Sequence, residues 1–241
     1  MIALFDIGNT RTKYCMFDKG KRSTQQATLN RTISDTFLDV NFVGVSKIII
    51  ASVSNAAVTS EINTWCQKNN VVFKQVFSEL KKNCVVSGYK DPKQLGVDRW
   101  LGLIGAANLY PKKNVLIIDA GTATTIDFLL ASGQHQGGWI LAGIKTLIAS
   151  VLAETTQVQA NLRETESVAF GLNTSENVHN AAWAATVGAI HLAITEIQKQ
   201  GLVLGNVIIT GGNGNLLASL MTHEYTVIEE LVFNGLEAYI E

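Results

Sequence analysis

The sequence predicts an α/β protein made of two similar halves. Three observations carry that expectation. A D-x-G-[NT] hairpin occurs twice, apolar strand segments alternate with helical patterns, and the 241-residue chain is 47% hydrophobic and only 16% charged, enough apolar material for two cores. The repeat is seen by sliding the sequence against itself. ALFDIGNTRTKYCMFDKG (3–20) lies over LIIDAGTATTIDFLLASG (116–133), with Asp6 on Asp119, a shift of 119 − 6 = 113 residues. Without a gap, Gly8 then falls on Gly121, Asn9 on Thr122, Thr12 on Thr125 and Gly20 on Gly133. One such hairpin opening each half is the signature of a duplicated domain.

Each element has a local reason. KIIIASV (47–53), VVFKQVF (71–77), NVLIIDA (114–120) and NVIITGG (206–212) are β-branched apolar runs bounded by turn residues, the pattern of buried strands. Helical patterns fill roughly 55–69, 98–110, 177–200 and 230–240. Residues 78–97 hold most of the first half's turn residues and form its least regular stretch. YPKK, with one of only two prolines, marks a boundary and sets the halves at 1–112 and 113–241.

Composition narrows the function. With 19 basic and 20 acidic residues and a net charge of −1, the chain carries no electrostatic footprint for nucleic acid or an anionic membrane. Cys15, Cys66 and Cys84 show no C-x-x-C spacing, and His135, His179, His191 and His223 are scattered, which points to reduced thiols and no zinc site. No charged segment precedes Asp6 and no apolar run approaches the roughly 20 residues of a membrane span. The expectation is a soluble cytoplasmic protein that acts on small molecules.

The hairpin tips suit phosphate. A glycine two residues after each aspartate lets the backbone come close to a ligand, and successive N–H groups in such a turn make an anion-binding hollow. The hydroxyls of Thr10, Thr12, Thr122, Thr124 and Thr125 can donate to phosphate oxygens, with Lys13 as a point charge. Asp6 and Asp119 end strands, where a carboxylate can hold a hydrated cation that bridges phosphates. A single Asp-x-Gly-Asn is also an ordinary tight turn, and the second copy is what favours function. There is no Walker A motif; GGNGNLL (211–217) comes nearest to G-x-G-x-x-G but has Leu217 at the last glycine, and its place after VIIT suits close approach to a flat group such as adenosine.

The paired hairpins followed by a late Gly-Gly turn resemble the actin, sugar-kinase and Hsp70 superfamily of ATP-binding proteins. Within it the chain resembles the type III pantothenate kinases from end to end, through DIGNTRTK (6–13), YKDPKQLGVDRW (89–100), DAGTATTIDF (119–128), GGWILAGI (137–144) and TGGNG (210–214). The resemblance implies duplicated ribonuclease-H-like (actin-like) domains with an ATP cleft between them. It implies that ATP phosphates lie over Asp6, Ile7, Gly8, Asn9, Thr10, Arg11, Thr12 and Lys13, with Asp6 linked to magnesium and Thr122 a nucleotide contact. It implies that Asp119 is the ligand of a monovalent cation, potassium or ammonium. Tyr89, Gly96, Val97, Asp98 and Arg99 fall in the pantothenate site, Asp98 being the catalytic base; Thr174 is a further acceptor contact in a site completed across a homodimer. Two positions depart from the family: Ala142 where proline is usual, and Asn173 where serine is usual.

From the residues alone, Asp98 fits equally an N-cap of the helix it opens, and Arg99 a surface salt-bridge partner or a fork for a carboxylate. The implied activity is ATP-dependent phosphorylation of the primary hydroxyl of pantothenate, the opening step toward coenzyme A. Two alternatives stay open at this stage: a kinase of another small hydroxy or carboxylate acceptor, and an ATP-binding regulator of the same fold without kinase activity.

Overall fold

The structure, a computed structural model, describes residues 1–53, 55–154 and 166–241. The chain divides into two compact units, Met1–Leu109 with Glu230–Glu241, and Tyr110–Glu229.

The first unit opens with β1 (Ile2–Ile7) and β2 (Arg11–Asp18), followed by the short β3 (Lys21–Arg22) and β4 (Gln26–Leu29), α1 (Asp35–Asn41), β5 (Lys47–Ser52), α2 (Ala56–Lys68) and β6 (Val72–Val76). A small hairpin, β7 (Lys81–Lys82) and β8 (Val85–Val86), lies in the irregular stretch before α3 (Val97–Leu109). The sheet order is β3-β2-β1-β5-β6, with β4 on β2. β1 runs antiparallel to β2 and parallel to β5, which in turn is parallel to β6. Alternation along β1 and β5 sends Ala3, Phe5, Ile7, Ile48 and Ile50 to one face, where they meet Leu38 and Phe42 of the α1 region and Val58, Ile62 and Trp65 of α2. Leu4 and Ile49, fully buried, face the other way, the side on which α3 packs against β5.

The second unit repeats the scheme with β9 (Val115–Ala120), β10 (Ala123–Leu129), β11 (His135–Ala142), α4 (Ile144–Glu154), α5 (Thr174–Lys199), β12 (Asn206–Thr210), α6 (Gly214–Ser219) and β13 (Thr226–Val227). Its order, β11-β10-β9-β12-β13, has the same sequence of antiparallel and parallel pairings as the first sheet. Both halves are thus a three-stranded antiparallel meander extended by two parallel strands, as the repeat predicts. The core joins Leu116, Ile118, Ile126, Phe128, Val207 and Ile209 of the sheet to Trp183, Val187, Ile190 and Ile194 of α5. Among the described residues no helix is long and apolar enough to cross a membrane. Cys15, Cys66 and Cys84 are unbridged, and burial pushes the Cys15 thiol up to about 12 and that of Cys66 up to about 11.

Two expectations change. A gapless repeat pairs Thr12 with Thr125, but the register pairs Asp6 with Lys13 and Asp119 with Thr125. The first tip is one residue longer, so Thr12 corresponds to Thr124, and both are buried. A one-residue slip moves a strand's side chains to the opposite face, so burial is what sets the alignment past the tip. The chain's last segment, read as part of the 113–241 half, also packs on the first unit as α7 (Leu231–Leu236) and a 3-10 turn at Glu237–Tyr239. A short amphipathic pattern does not say which sheet it covers; glycine spacing and charge do. Gly105 and Gly235 let α3 and α7 approach so closely that a methyl on Gly235 would strike the Leu101 backbone. Arg22 clasps Glu230 at 2.8 Å, Asn234 at 2.8 Å and Glu237 at 2.5 Å.

Candidate active site

The C-terminal end of β1 carries Asp6, and the tip that follows is closed by the Gly8 N–H donating to the Arg11 carbonyl at 3.0 Å. Asn9, Thr10 and Arg11 are exposed. Ile7 and Thr12 are fully buried, so Ile7 offers a ligand only its backbone, and the Thr12 hydroxyl is occupied within the protein, donating to Asn30 Oδ1 at 2.8 Å. Lys13 stands directly across the ladder from Asp6.

Asp98 enters the same neighbourhood from α3. The Gly96 carbonyl accepts the first helical bond, from the Trp100 N–H at 2.9 Å, so Gly96 holds the cap position and Asp98 lies inside the first turn. The N-cap reading of Asp98 is therefore replaced: its Oδ1 accepts from the Arg99 N–H at 2.7 Å. Gly96 leaves room for that carboxylate, since a Cβ there would sit 2.6 Å from Asp98 Oδ1. Val97 is buried beneath the turn. Arg99 is buried rather than a surface partner; its Nη1 donates to the Tyr89 hydroxyl at 2.8 Å, and the guanidinium also lies 5.7 Å from the Tyr89 ring centre. Tyr89, Gly96, Val97, Asp98, Arg99, Asp6 and Lys13 all belong to the first unit.

The two carboxylates feel each other. Burial raises the Asp6 carboxyl from 3.8 to about 6, the Lys13 ammonium pulls it back down, and the Asp98 charge pushes it up again. An aspartate held this way, with a second carboxylate close by and hard oxygen donors only, fits a divalent cation that also takes phosphate oxygens and water. Among the described residues no group of three or more His, Cys, Asp or Glu side chains forms an all-protein metal cage.

The second unit gathers its own set. Asp119 ends β9, and the glycine turn after β12 lies directly on it: Gly211 has φ +88°, and a Cβ at that position would collide with Asp119 Oδ1 and with the Ala120 backbone. The Asn213 N–H donates to the Ala120 carbonyl at 2.9 Å. The tip bearing Thr122 is closed by Gly121 N–H to Ala123 O at 3.0 Å and held from the side by Gly143, whose N–H donates to Thr122 O at 3.2 Å. A side chain at Gly143 would strike the Thr122 and Gly121 carbonyls. Gly143 was not singled out from the sequence, although it closes GGWILAGI. Ala142 ends the edge strand β11 opposite Ala123. Asn173 is the N-cap of α5: its Oδ1 accepts from the Glu176 N–H at 2.9 Å, and Glu176 reaches back to the Leu172 N–H at 2.7 Å. Asparagine caps as well as serine, so the departure at this position leaves Thr174 exposed at the helix start.

A sequence profile of the type III pantothenate kinases matches residues 2–196. The chain belongs to the type III pantothenate kinase family. A type III pantothenate kinase from Colwellia psychrerythraea is 46% identical over 249 residues, covering 99% of this chain and 100% of the relative. Another, from Idiomarina loihiensis, is 32% identical over 256 residues, covering 97% and 96%. A solved structure described as a 2-dehydro-3-deoxygalactonokinase protein, from Sinorhizobium meliloti, superimposes with a TM-score of 0.62 at 15% identity over 99% of this chain and 97% of its own. That likeness shows a shared fold, the duplicated α/β architecture described above.

The raised Asp6 carboxyl has a consequence for stability. In the unfolded chain it titrates near 3.8 and in the folded one near 6, so the folded state binds more protons in that window. Its contribution is fully present below pH 3.8 and is lost as pH rises through about 6. Urea unfolding of the nucleotide-free protein should show Asp6→Asn gaining on wild type by about 1–2 kcal/mol between pH 4 and 7, less than the full shift because the residue is part-exposed. A difference that stays constant across that range would contradict the assignment.

Proposed function

We propose that this protein transfers the γ-phosphoryl group of ATP to the primary hydroxyl of pantothenate, yielding 4'-phosphopantothenate and ADP, the first step of coenzyme A synthesis. The observation that carries this reading is Asp98: a carboxylate in the first turn of α3, coupled to Asp6 at the end of β1 and flanked by the Arg99–Tyr89 pair. Phosphoryl transfer needs positioning, charge stabilisation and one base. Asp98 accepts the hydroxyl proton as the pantothenate oxygen forms its bond to the γ-phosphorus and the bond to the ADP oxygen breaks. The guanidinium of Arg99, held by Tyr89, is the fork suited to the pantothenate carboxylate. The exposed tip from Gly8 to Arg11, with Lys13 behind it, receives the phosphates. Thr122 is a further nucleotide contact.

The finer parts of the proposal follow the same chemistry. Asp6 would hold magnesium, which would supply neutralisation of charge on the transferred group. Asp119 would hold a potassium or ammonium ion, which would offset phosphate charge. The working form is a cytoplasmic homodimer with Thr174 in the acceptor site.

Release of ADP from ATP, magnesium and potassium, with and without pantothenate, tests the reading. Turnover that depends on pantothenate supports it; turnover with another small alcohol only, or none from folded protein, overturns it in favour of a different acceptor or a regulator. Asp98→Asn should lose roughly 10²–10⁴ in kcat while still binding ATP, the usual contribution of a general base. Near-normal kcat would remove Asp98 from that role. Replacing potassium by sodium should lower turnover in wild type, and an Asp119→Asn variant should be slow in both salts; equal rates for wild type in either salt would remove the cation from Asp119.

A further inference from the structure

We propose that Asn30 is a positioning residue of the phosphate tip, which holds two peptide groups so that their N–H bonds face the nucleotide phosphates. The proposal rests on the ATP reading above.

Pairing of β4 with β2 puts Leu29 opposite Arg11, so the chain delivers Asn30 to the tip as it enters a 3-10 turn at Asn30–Thr32. There Asn30 contacts four of the five residues from Gly8 to Thr12. Its Nδ2 donates to the Gly8 carbonyl at 2.8 Å and to the Asn9 carbonyl at 3.0 Å, and its Oδ1 accepts the Thr12 hydroxyl at 2.8 Å. Its backbone N–H donates to the Thr10 carbonyl at 3.0 Å. The amide orientation follows from chemistry, because two carbonyls can only accept.

The geometric consequence lies in the planarity of the peptide. In a trans peptide the C=O of one residue and the N–H of the next point in opposite directions. Holding the Gly8 and Asn9 carbonyls on the Asn30 side therefore turns the N–H groups of Asn9 and Thr10 the other way. Those are the exposed residues of the tip. Successive N–H groups presented from one side of a turn are what binds an anion.

The second repeat shows the same need met differently. Thr122, which follows the tip glycine as Asn9 does, has its carbonyl held by the Gly143 N–H at 3.2 Å. Thr124, the counterpart of Thr12, is buried with its hydroxyl lacking a hydrogen-bond partner among the described residues. One repeat thus uses a main-chain amide, and the other uses a single side chain that also satisfies its buried threonine. The side-chain support can be removed by a substitution that leaves the tip's own backbone unchanged.

The test is steady-state kinetics on the full-length protein with Asn30→Leu, which keeps the bulk and removes the amide. The Michaelis constant for ATP should rise about tenfold or more, from the loss of two to three hydrogen bonds that fix the tip. The constant for pantothenate should stay within about twofold of wild type, and the melting temperature should stay high enough for assay. An ATP constant within twofold of wild type, or a parallel rise in both constants, overturns the proposal. Should Asn30→Leu not fold, Thr12→Val removes one bond to the same amide, and a smaller rise confined to ATP is expected; no rise overturns the proposal equally. ATP-dependent turnover of the wild type is measured in the same series. Its absence would count against the ATP reading itself, and unchanged ATP dependence in the variants would count against Asn30 alone.

Discussion

The constraint on which the rest depends is the burial of the Asp6 carboxyl in the first unit, with Lys13 pulling against it and the Asp98 charge adding to it. The two carboxylates come from different element types, one at the end of a buried strand and one in the first turn of a helix, and the fold holds them near enough to repel. Such an arrangement opposes folding of the free protein at neutral pH and is offset by what binds there. Lys13, across the ladder from Asp6, supplies part of the balance. The N-terminal end of α3 supplies another part, since a negative charge in a helix's first turn is favourable. A cation arriving with a nucleotide would supply the rest. A site that is electrostatically incomplete alone and complete when loaded is what a kinase of this kind requires.

Around that centre, backbone matters as much as side chains. Both D-x-G tips are closed by a glycine N–H, and both are braced from outside, one by Asn30 and the other by Gly143. Gly96 and Gly211 keep space for the Asp98 and Asp119 carboxylates where any side chain would displace them. A phosphate site built on such tips would depend largely on where peptide planes point, and would need few charged residues. That is consistent with a chain whose net charge is −1.

Much of this was legible in the sequence because it is periodic or repeated. The duplicated hairpin, the buried strands at 47–53 and 206–212 and the helix that opens within GVDR all follow from local pattern, and each is present close to the expected position. What pattern did not reveal is long-range. That Thr12 is buried against Asn30, eighteen positions away, depends on β4 folding back on β2, and nothing in a lone asparagine announces it. The extra residue in the first tip is invisible to a gapless alignment and emerges only from which threonine each sheet buries. The home of Glu230–Glu241 is decided by Arg22 and two glycines, which no helical periodicity records. Asn173, by contrast, could have been read: Asn-Thr-Ser-Glu is a helix-capping signature, and a serine or an asparagine satisfies it equally.

The most direct measurement is the titration of the Asp6 carboxyl carbon by NMR in nucleotide-free wild type and in Asp98→Asn. The account predicts a midpoint of about 6 in wild type, moving down once the neighbouring charge is removed. A midpoint near 3.8 in wild type, or one indifferent to Asp98, would contradict the coupling of the two carboxylates on which the site is built.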